Sequence, residues 1–416
     1  MKNRIIIDQI KKKSISKFGR IITITGARQT GKTTLAKECF SEYAYISLED
    51  PITRPNYSNL SSKQWYNQYP QAVLDEIQKV PRLIESIKAV YDEYPDAKYI
   101  LLGSSQILLL KEIRESLAGR VSIVELLPLT LTEMLTSSWE DSITESKLIK
   151  WLKNPENTDI FYGIPQVSEE YAITTRLLSE YLKYGGMPAI CSNDISEEEK
   201  YDWLYNYLQT YLQRDLRDLA QINDLEPFVL AQRTLSSLTG QIVNYDKVAK
   251  LSGVSPKTIK RYISYLNLSY QVIIINSWFR NLNKRLSKSP KIHFLDPGIQ
   301  REILGRRGML TGSEFESAIV AEIVKQIKSY NLKIQFYHLR TLDGREIDLV
   351  IETDSGFILI EIKMASKVSK TDARSLKITD VFDKPVIHSF ILSNDPEVKQ
   401  FDDNITAMPV AWFLGP

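Results

Sequence analysis

The sequence predicts a multidomain α/β protein, and three observations carry that prediction. Gly26 to Thr33 reads G-A-R-Q-T-G-K-T and fits the phosphate-loop pattern G-x-x-x-x-G-K-[ST], set between a β-branched run and a helix-forming run. Further on, from 235 to 304, two short helices, a glycine turn and two strands follow one another. From 305 onward a helix precedes strands that carry acidic residues in apolar surroundings. At 416 residues the chain exceeds a single core, which stops growing near ~300 residues. The expected units are a nucleotide-binding core with a parallel sheet (1–130), a helical linker or lid (131–234), a helix-turn-helix with a wing (235–304) and a second α/β domain (305–416).

Composition bounds the function classes. Hydrophobic residues make up 43% and charged residues 25%, as in globular protein. With 53 Lys and Arg against 51 Asp and Glu, the net charge is +2, so any basic surface has to be local. The two cysteines, Cys39 and Cys191, are far apart and lack metal-ligand spacing, which suits a reducing compartment. The histidines, His293, His338 and His388, are scattered, which argues against histidine-centred catalysis. Without an 18-residue apolar run or a signal-peptide pattern, the expected location is the cytoplasm and no membrane partner is expected.

The phosphate loop needs a strand before it and a helix after it. Arg20 to Thr25 (R-I-I-T-I-T) supplies the first and Thr34 to Phe40 the second. In that setting the backbone of Gly26, Ala27, Arg28, Gln29, Thr30 and Gly31, with Thr34 behind it, would cradle the phosphates of ATP. Lys32 would reach the β- and γ-phosphates, and the Thr33 hydroxyl would ligate Mg²⁺. Tyr43 to Leu48 reads as a second strand. Gln71 to Glu76 (Q-A-V-L-D-E) is a buried strand ending in two carboxylates, which places Asp75 in the Mg²⁺ shell and Glu76 beside the attacking water. An amphipathic helix from Ile77 to Tyr94 follows, then the strand Lys98 to Leu102. Ser104, just past that strand, either sits between the γ-phosphate and the water or caps the next helix, expected over Gln106 to Leu117. A fifth strand runs from Val121 to Leu126, with Arg120 immediately before it.

The combination D-E-I-Q-K-V-P (75 to 81), L-L-G-S-S-Q (101 to 106) and S-L-A-G-R-V (116 to 121) closely resembles a family of prokaryotic AAA-type P-loop ATPases with an uncharacterised C-terminal domain. The resemblance covers essentially the whole chain. It implies ATP binding at the positions above and counts Tyr184 to Ile190 (Y-G-G-M-P-A-I) among the family's recurring motifs. In oligomeric ATPases of this type, an arginine before the fifth strand projects into a neighbour's nucleotide site. Arg120 is the candidate for that role, with a surface or intramolecular phosphate contact as the alternative.

From Leu127 to about Thr234 the pattern is helical, with Trp139 to Ser168 expected as a long polar loop. Tyr201 to Leu219 reads as one long helix ending in Arg214, Asp215, Arg217 and Asp218. Beyond it, Tyr245 to Leu251, a Ser252-Gly253 turn and a Ser255-capped helix from Pro256 form a helix-turn-helix. Lys257, Lys260 and Arg261 on the second helix are the candidate DNA-binding residues. Strands Gln271 to Ser277 and Lys291 to Leu295, joined by a basic link with Arg280, Lys284, Arg285, Lys288 and Lys291, complete a winged helix. Its alternative role is packing or protein contact.

In the last unit, helix Ser313 to Tyr330 precedes strands Gln335 to Arg340, Glu346 to Glu352 and Phe357 to Lys363. A helix is expected over 369 to 382 and a strand over 385 to 392. Asp348 lies among apolar neighbours, where a carboxylate is costly unless paired or coordinating. Glu361 and Lys363 share one strand face. This order resembles the restriction-endonuclease-like fold with its D…E-x-K motif. The resemblance implies Asp348 and Glu361 as Mg²⁺ ligands, Lys363 as the water-positioning cation and Glu316 as a supporting acid. The sequence thus predicts a Mg²⁺-dependent ATPase acting on DNA through the winged helix and a nuclease-like domain. The rival reading is a nucleotide-dependent switch or scaffold, homo-oligomeric or bound to a protein partner, whose C-terminal domain cuts nothing.

Overall fold

The structure, a computed structural model, describes residues 1–416 apart from 17–18, 104–112, 114, 193, 221–224 and 342, and side chains throughout these except in 211–220 and 286–287. Five short apolar runs become β1 (Ile21–Thr25), β2 (Ala44–Ser47), β3 (Gln71–Asp75), β4 (Lys98–Leu102) and β5 (Val121–Glu125). They pair in parallel in the order β2-β3-β4-β1-β5. Because a parallel sheet is buried on both faces, β1 is apolar throughout, and its alternate residues enter different cores. Ile21 packs with Leu83, Ile84 and Ile87 of the helix Pro81–Glu93. Ile22 and Ile24 face Ile6, Ile7 and Ile10 of an N-terminal helix, Ile6–Ser14, and Leu35 behind the phosphate loop. The sequence reading did not anticipate that N-terminal helix. The helix expected over Gln106 to Leu117 falls largely outside the described residues.

The middle of the chain is helical, and its long helix, Glu197–Ala220, begins four residues earlier than expected. The Arg214 to Asp218 charge network lies outside the described side chains. The expected loop from Trp139 to Ser168 is less irregular than its polarity suggests. It contains the helix Lys147–Lys153 and a 3-10 turn at Thr158–Phe161, and buries Trp151 and Phe161. Those rings pack against Phe390 and Phe413, which lie far off in sequence and so leave no local signal.

Three helices, Glu226–Ser237, Tyr245–Ser252 and Pro256–Leu268, surround a core that includes Phe228, Val248, Ile259 and Ile263. Gly253 is left-handed at φ 65° between the second and third, a conformation that favours glycine. A hairpin of β6 (Val272–Ser277) and antiparallel β7 (Lys291–Phe294) follows, and its link contains a short helix, Leu282–Ser287.

The hairpin does not stand alone. The C-terminal strands are β8 (Gln335–Arg340), β9 (Glu346–Glu352), β10 (Phe357–Lys363), β11 (Val386–Ser393), β12 (Lys399–Asp402) and β13 (Ile405–Pro409). Through the pairing of β6 with β8 they join the hairpin in one eight-stranded mixed sheet, ordered β12-β13-β11-β10-β9-β8-β6-β7. The segments 235–304 and 305–416 therefore share a sheet. One face is covered by the helix Gly312–Ser329 and by residues of the helical region, including Leu131, Trp151 and Tyr181. Over the other face, 369 to 382 forms 3-10 turns at Lys370–Ala373 and Ser375–Lys377 instead of the expected helix. Ala373 and Leu376 are three residues apart and both buried on the sheet, a spacing that suits three residues per turn. Among the described residues no helix is long and apolar enough to cross a membrane.

Candidate nucleotide site and carboxylate cluster

The phosphate loop leaves β1 through Gly26 (φ 148°), passes Gln29 at φ 60° and enters the helix Lys32–Cys39 from Gly31 at φ 92°. A Cβ at Gly26 would lie 2.1 Å from the Leu126 carbonyl oxygen, so only glycine permits this close passage. Lys32 is buried, and its Nζ donates to the carbonyls of Gly26 (3.0 Å) and Ala27 (2.7 Å), folded over the cradle that a phosphate would fill. The Thr33 hydroxyl donates to Asp75 Oδ2 at 2.7 Å. Asp75 also accepts from the Tyr45 hydroxyl at 2.8 Å and from the Glu76 amide at 3.0 Å. Burial, then the Asp75 hydrogen bond, pushes the Tyr45 phenol above its ordinary range. Glu76 leaves the strand end at φ 58°, and its carboxylate accepts from Gln78 Nε2. A left-handed non-glycine residue is costly and recurs at functional sites.

A cleft of about 670 Å³ opens over these groups, lined by Arg28, Gln29, Lys32 to Thr34, Asp75 and Glu76 and closed opposite by Pro188, Ala189, Tyr207 and Thr210. The loop side therefore brings together the residues read from the sequence. The far wall comes from the helical region, at the Y-G-G-M-P-A-I break. Here Gly185 (φ 86°) passes against Asp296 and Gly298, and Asp296 Oδ2 accepts from the Gly186 amide at 2.8 Å. A Cβ at Gly298 would meet the Tyr184 carbonyl oxygen at 1.9 Å.

Two supports escaped sequence reading. Buried Arg4 donates to the carbonyls of Thr30 (2.8 Å) and Leu127 (2.5 Å) and pairs with Glu133 at 3.2 Å, bracing the loop from behind. Tyr270, at φ 61°, shares a 2.8 Å hydrogen bond with Thr25, the residue before Gly26. Neither carries a motif, because both act through contacts more than twenty residues away.

Arg120 lies at the N-terminal edge of β5, whereas the loop leaves the C-terminal edge of neighbouring β1. Five residues of strand at ~3.3 Å each separate those edges, so Arg120 does not reach its own chain's loop, and the intramolecular phosphate contact is excluded. It forms a bidentate pair with exposed Asp92 at 2.8 and 3.1 Å. Ser104 lies outside the described residues.

The C-terminal carboxylates converge on an unexpected partner. Lys291 of β7, counted in the sequence among the wing's basic residues, is 1% exposed. Its Nζ pairs with Glu316 (2.9 Å), Glu346 (2.7 Å) and Asp348 (3.4 Å). Burial opposes its charge, but Glu316, Asp348 and Glu346 outweigh that and hold its pKa above the ordinary lysine value. Asp348 Oδ2 also accepts from the Ile362 amide at 2.9 Å, and Lys363 pairs with Glu361 at 2.5 Å. Burial, then the charge of Asp348, raises Glu316 to about 8 and Glu361 to about 7. The predicted Glu316, Asp348, Glu361 and Lys363 thus occupy one neighbourhood. Their oxygens are turned to ammonium groups and amides, and among the described residues no three His, Cys, Asp or Glu are placed to hold a metal ion. The arrangement present does not fit a divalent cation.

The candidate DNA-binding residues Lys257, Lys260 and Arg261 are exposed along one side of the helix Pro256–Leu268. Of the link, Arg280, Lys284 and Lys288 are exposed. Arg285 is 9% exposed and pairs with Glu352 at 3.3 Å, so with Lys291 it is withdrawn from any wing surface.

Three families match successive parts of the chain. Residues 19–135 match one described as "AAA domain", and residues 175–309 and 311–413 match two domains of unknown function (DUF8612 and DUF4143). Together with the parallel sheet and loop geometry, the first match makes the N-terminal domain an AAA-type P-loop ATPase domain. An uncharacterized protein of Mycobacterium tuberculosis is 26% identical over 380 residues, covering 87% of this chain and 74% of its own. One from Haemophilus influenzae is 22% identical over 394 residues, covering 88% of each. Among solved structures, a Walker-type ATPase of Pyrococcus abyssi aligns with a TM-score of 0.44 at 13% identity, over 71% of this chain and 95% of that one.

Proposed function

We propose that the N-terminal domain binds and hydrolyses Mg·ATP and that its nucleotide state sets the placement of a winged helix and a nuclease-like module on DNA. The observation that carries the hydrolytic part is the 2.7 Å contact between Thr33 Oγ1 and Asp75 Oδ2, a hydroxyl and a carboxylate facing one point beside the cradle. These two would hold Mg²⁺, which when bound neutralises charge on the phosphate oxygens. Lys32 would exchange its two carbonyl partners for phosphate oxygens. Glu76 would orient and polarise the attacking water at the edge of the same cleft. Arg120, paired with Asp92 on its own surface, would act at a nucleotide only on a neighbouring copy, which makes a homo-oligomer part of the reading.

Coupling to DNA is supported by two contacts, one at the root of the loop and one in the far wall of the cleft. Tyr270, two residues past the basic helix, holds Thr25, and Asp296 past the hairpin holds the Gly185–Gly186 wall of the cleft. A rearrangement of the loop around phosphate would strain the first, and closure of the far wall on the nucleotide the second. The test is ATP turnover by the intact chain with and without duplex DNA. Lys32→Ala should abolish turnover, and DNA should change the wild-type rate. A rate indifferent to DNA, with DNA binding indifferent to nucleotide, would overturn the coupling.

Lys291 favours a second reading for the C-terminal domain, that of an interaction scaffold. With the carboxylates neutralised from within, no step of phosphodiester cleavage is assigned to them. Incubation of DNA with the protein, Mg²⁺ and ATP separates the readings: cleavage lost in Asp348→Ala supports a nuclease, and intact DNA in both supports the scaffold.

A further inference from the structure

Between the link that joins β6 to β7 and the β8–β9 edge lies a cleft of about 990 Å³, outside both sites described above. We propose that it holds the phosphodiester backbone of a nucleic acid strand, as a second contact that extends the path from the basic helix. The proposal rests on the DNA reading given above.

Charge is the first support. Arg280, Lys284 and Lys288 line the cleft on the hairpin side and Arg340 and Arg345 on the other, against the single carboxylate of Asp380 among the lining residues. All five cations are exposed. Arg345 is paired with Asp343 at 2.7 Å and Arg280 donates to the Phe382 carbonyl at 3.1 Å. An exposed pair of that kind is weak in water and yields readily to a phosphate.

The second support is independent of charge. Trp278 and His338 line the same cleft at 2% and 1% exposure. The Trp278 indole Nε1 has no hydrogen-bond partner among the described residues, whereas the His338 ring meets the Ser289 backbone. Burial and the Lys291 charge push His338 down to about 4, so the ring is neutral and carries one N–H. A buried indole N–H left without an acceptor is uncommon in a folded protein, and an anionic oxygen entering the cleft beside Trp278 would satisfy it.

Extent favours a strand over a small anion. The cations run from the hairpin link, which follows the basic helix, to Arg340, which is in register with Glu346 of the Lys291 cluster. The row of cations thus runs from the hairpin link to the strand pair that borders the carboxylates. Such a track binds through many weak phosphate contacts, each released by salt.

The test is fluorescence anisotropy with the full-length chain and labelled single-stranded and duplex oligonucleotides, titrated at several salt concentrations. Lys284→Glu combined with Lys288→Glu should weaken binding at least tenfold and lower the log–log salt slope by about two, with DNA-free ATP turnover unchanged. Arg340→Gln should act in the same direction with a slope change of about one. If both variants bind as the wild type does while Lys257→Glu with Lys260→Glu weakens binding, the cleft assignment falls and the basic-helix reading stands. If the wild type binds neither oligonucleotide, both fall. Displacement of the strand by inorganic triphosphate at equal phosphate concentration would also overturn the strand assignment, since the cleft would then select small anions.

Discussion

Lys32 and Lys291 are both nearly buried ammonium groups, and their surroundings give them different uses. Lys32 donates to two backbone carbonyls of the cradle, which a phosphate can replace, and Lys32→Ala should leave the fold intact and remove nucleotide binding, as read by fluorescent-nucleotide titration. Glu76→Gln should retain binding and reduce turnover by roughly 10²-fold or more, the scale of a lost general base. Lys291 is held by three carboxyl groups, and removing it leaves those that are ionised without their cation. Lys291→Met should destabilise the protein by about 3 kcal/mol or more at neutral pH, measured by urea denaturation, and by less in acid, where the carboxylates protonate. The same cluster gives stability a pH dependence of defined sign. Glu316 and Glu361, raised to about 8 and about 7, keep protons in the folded state that the unfolded chain releases. Their contribution is complete below the ordinary carboxylate pKa and is lost as pH rises through those values. Glu316→Gln should make the fall in stability between about pH 5 and 8 shallower.

Among the elements, the Gly185–Gly186 turn and the Asp296–Gly298 turn act as one interlocked unit. The Gly298 position is filled from the other side by the Tyr184 carbonyl, so Gly298→Ala must push the turns apart at a cost of about 1–3 kcal/mol. Because the next residues, Pro188 and Ala189, line the nucleotide cleft, the same variant should raise the KM for ATP more than it lowers kcat. Tyr270→Phe removes the hydroxyl that meets Thr25 and should cost only about 0.5–1.5 kcal/mol. Basal turnover should survive while any effect of DNA on it is reduced; an unaltered DNA response would break the link between helix and loop.

Across the whole molecule, the helical region is bound to the C-terminal sheet more than to the ATPase sheet. Trp151 and Phe161 enter the same aromatic cluster as Phe390 and Phe413. Buried Lys325 pairs with Glu322 at 2.8 Å and donates to the Leu129 carbonyl at 2.7 Å. Phe161→Ala should therefore cost about 3–5 kcal/mol. ATP turnover and sheet structure should be lost at one denaturant concentration, since the far wall of the nucleotide cleft rests on this packing.

What the sequence determined by itself is local and periodic. The loop glycines, Lys32, Thr33, the Asp75–Glu76 strand end, the five parallel strands and the exposed basic helix follow from contiguous patterns, because phosphate cradles, strand burial and helix faces are built from neighbouring residues. The tertiary structure decided what depends on distant residues meeting. It joined the β6–β7 hairpin to the C-terminal sheet, converted an irregular polar stretch into a buried aromatic anchor and braced the loop with Arg4 and Tyr270. It also drew Lys291 out of an apparent DNA-binding wing into a ring of carboxylates. A lysine in a basic link reads as solvated surface until the fold surrounds it with acids, and only burial makes that pairing obligatory.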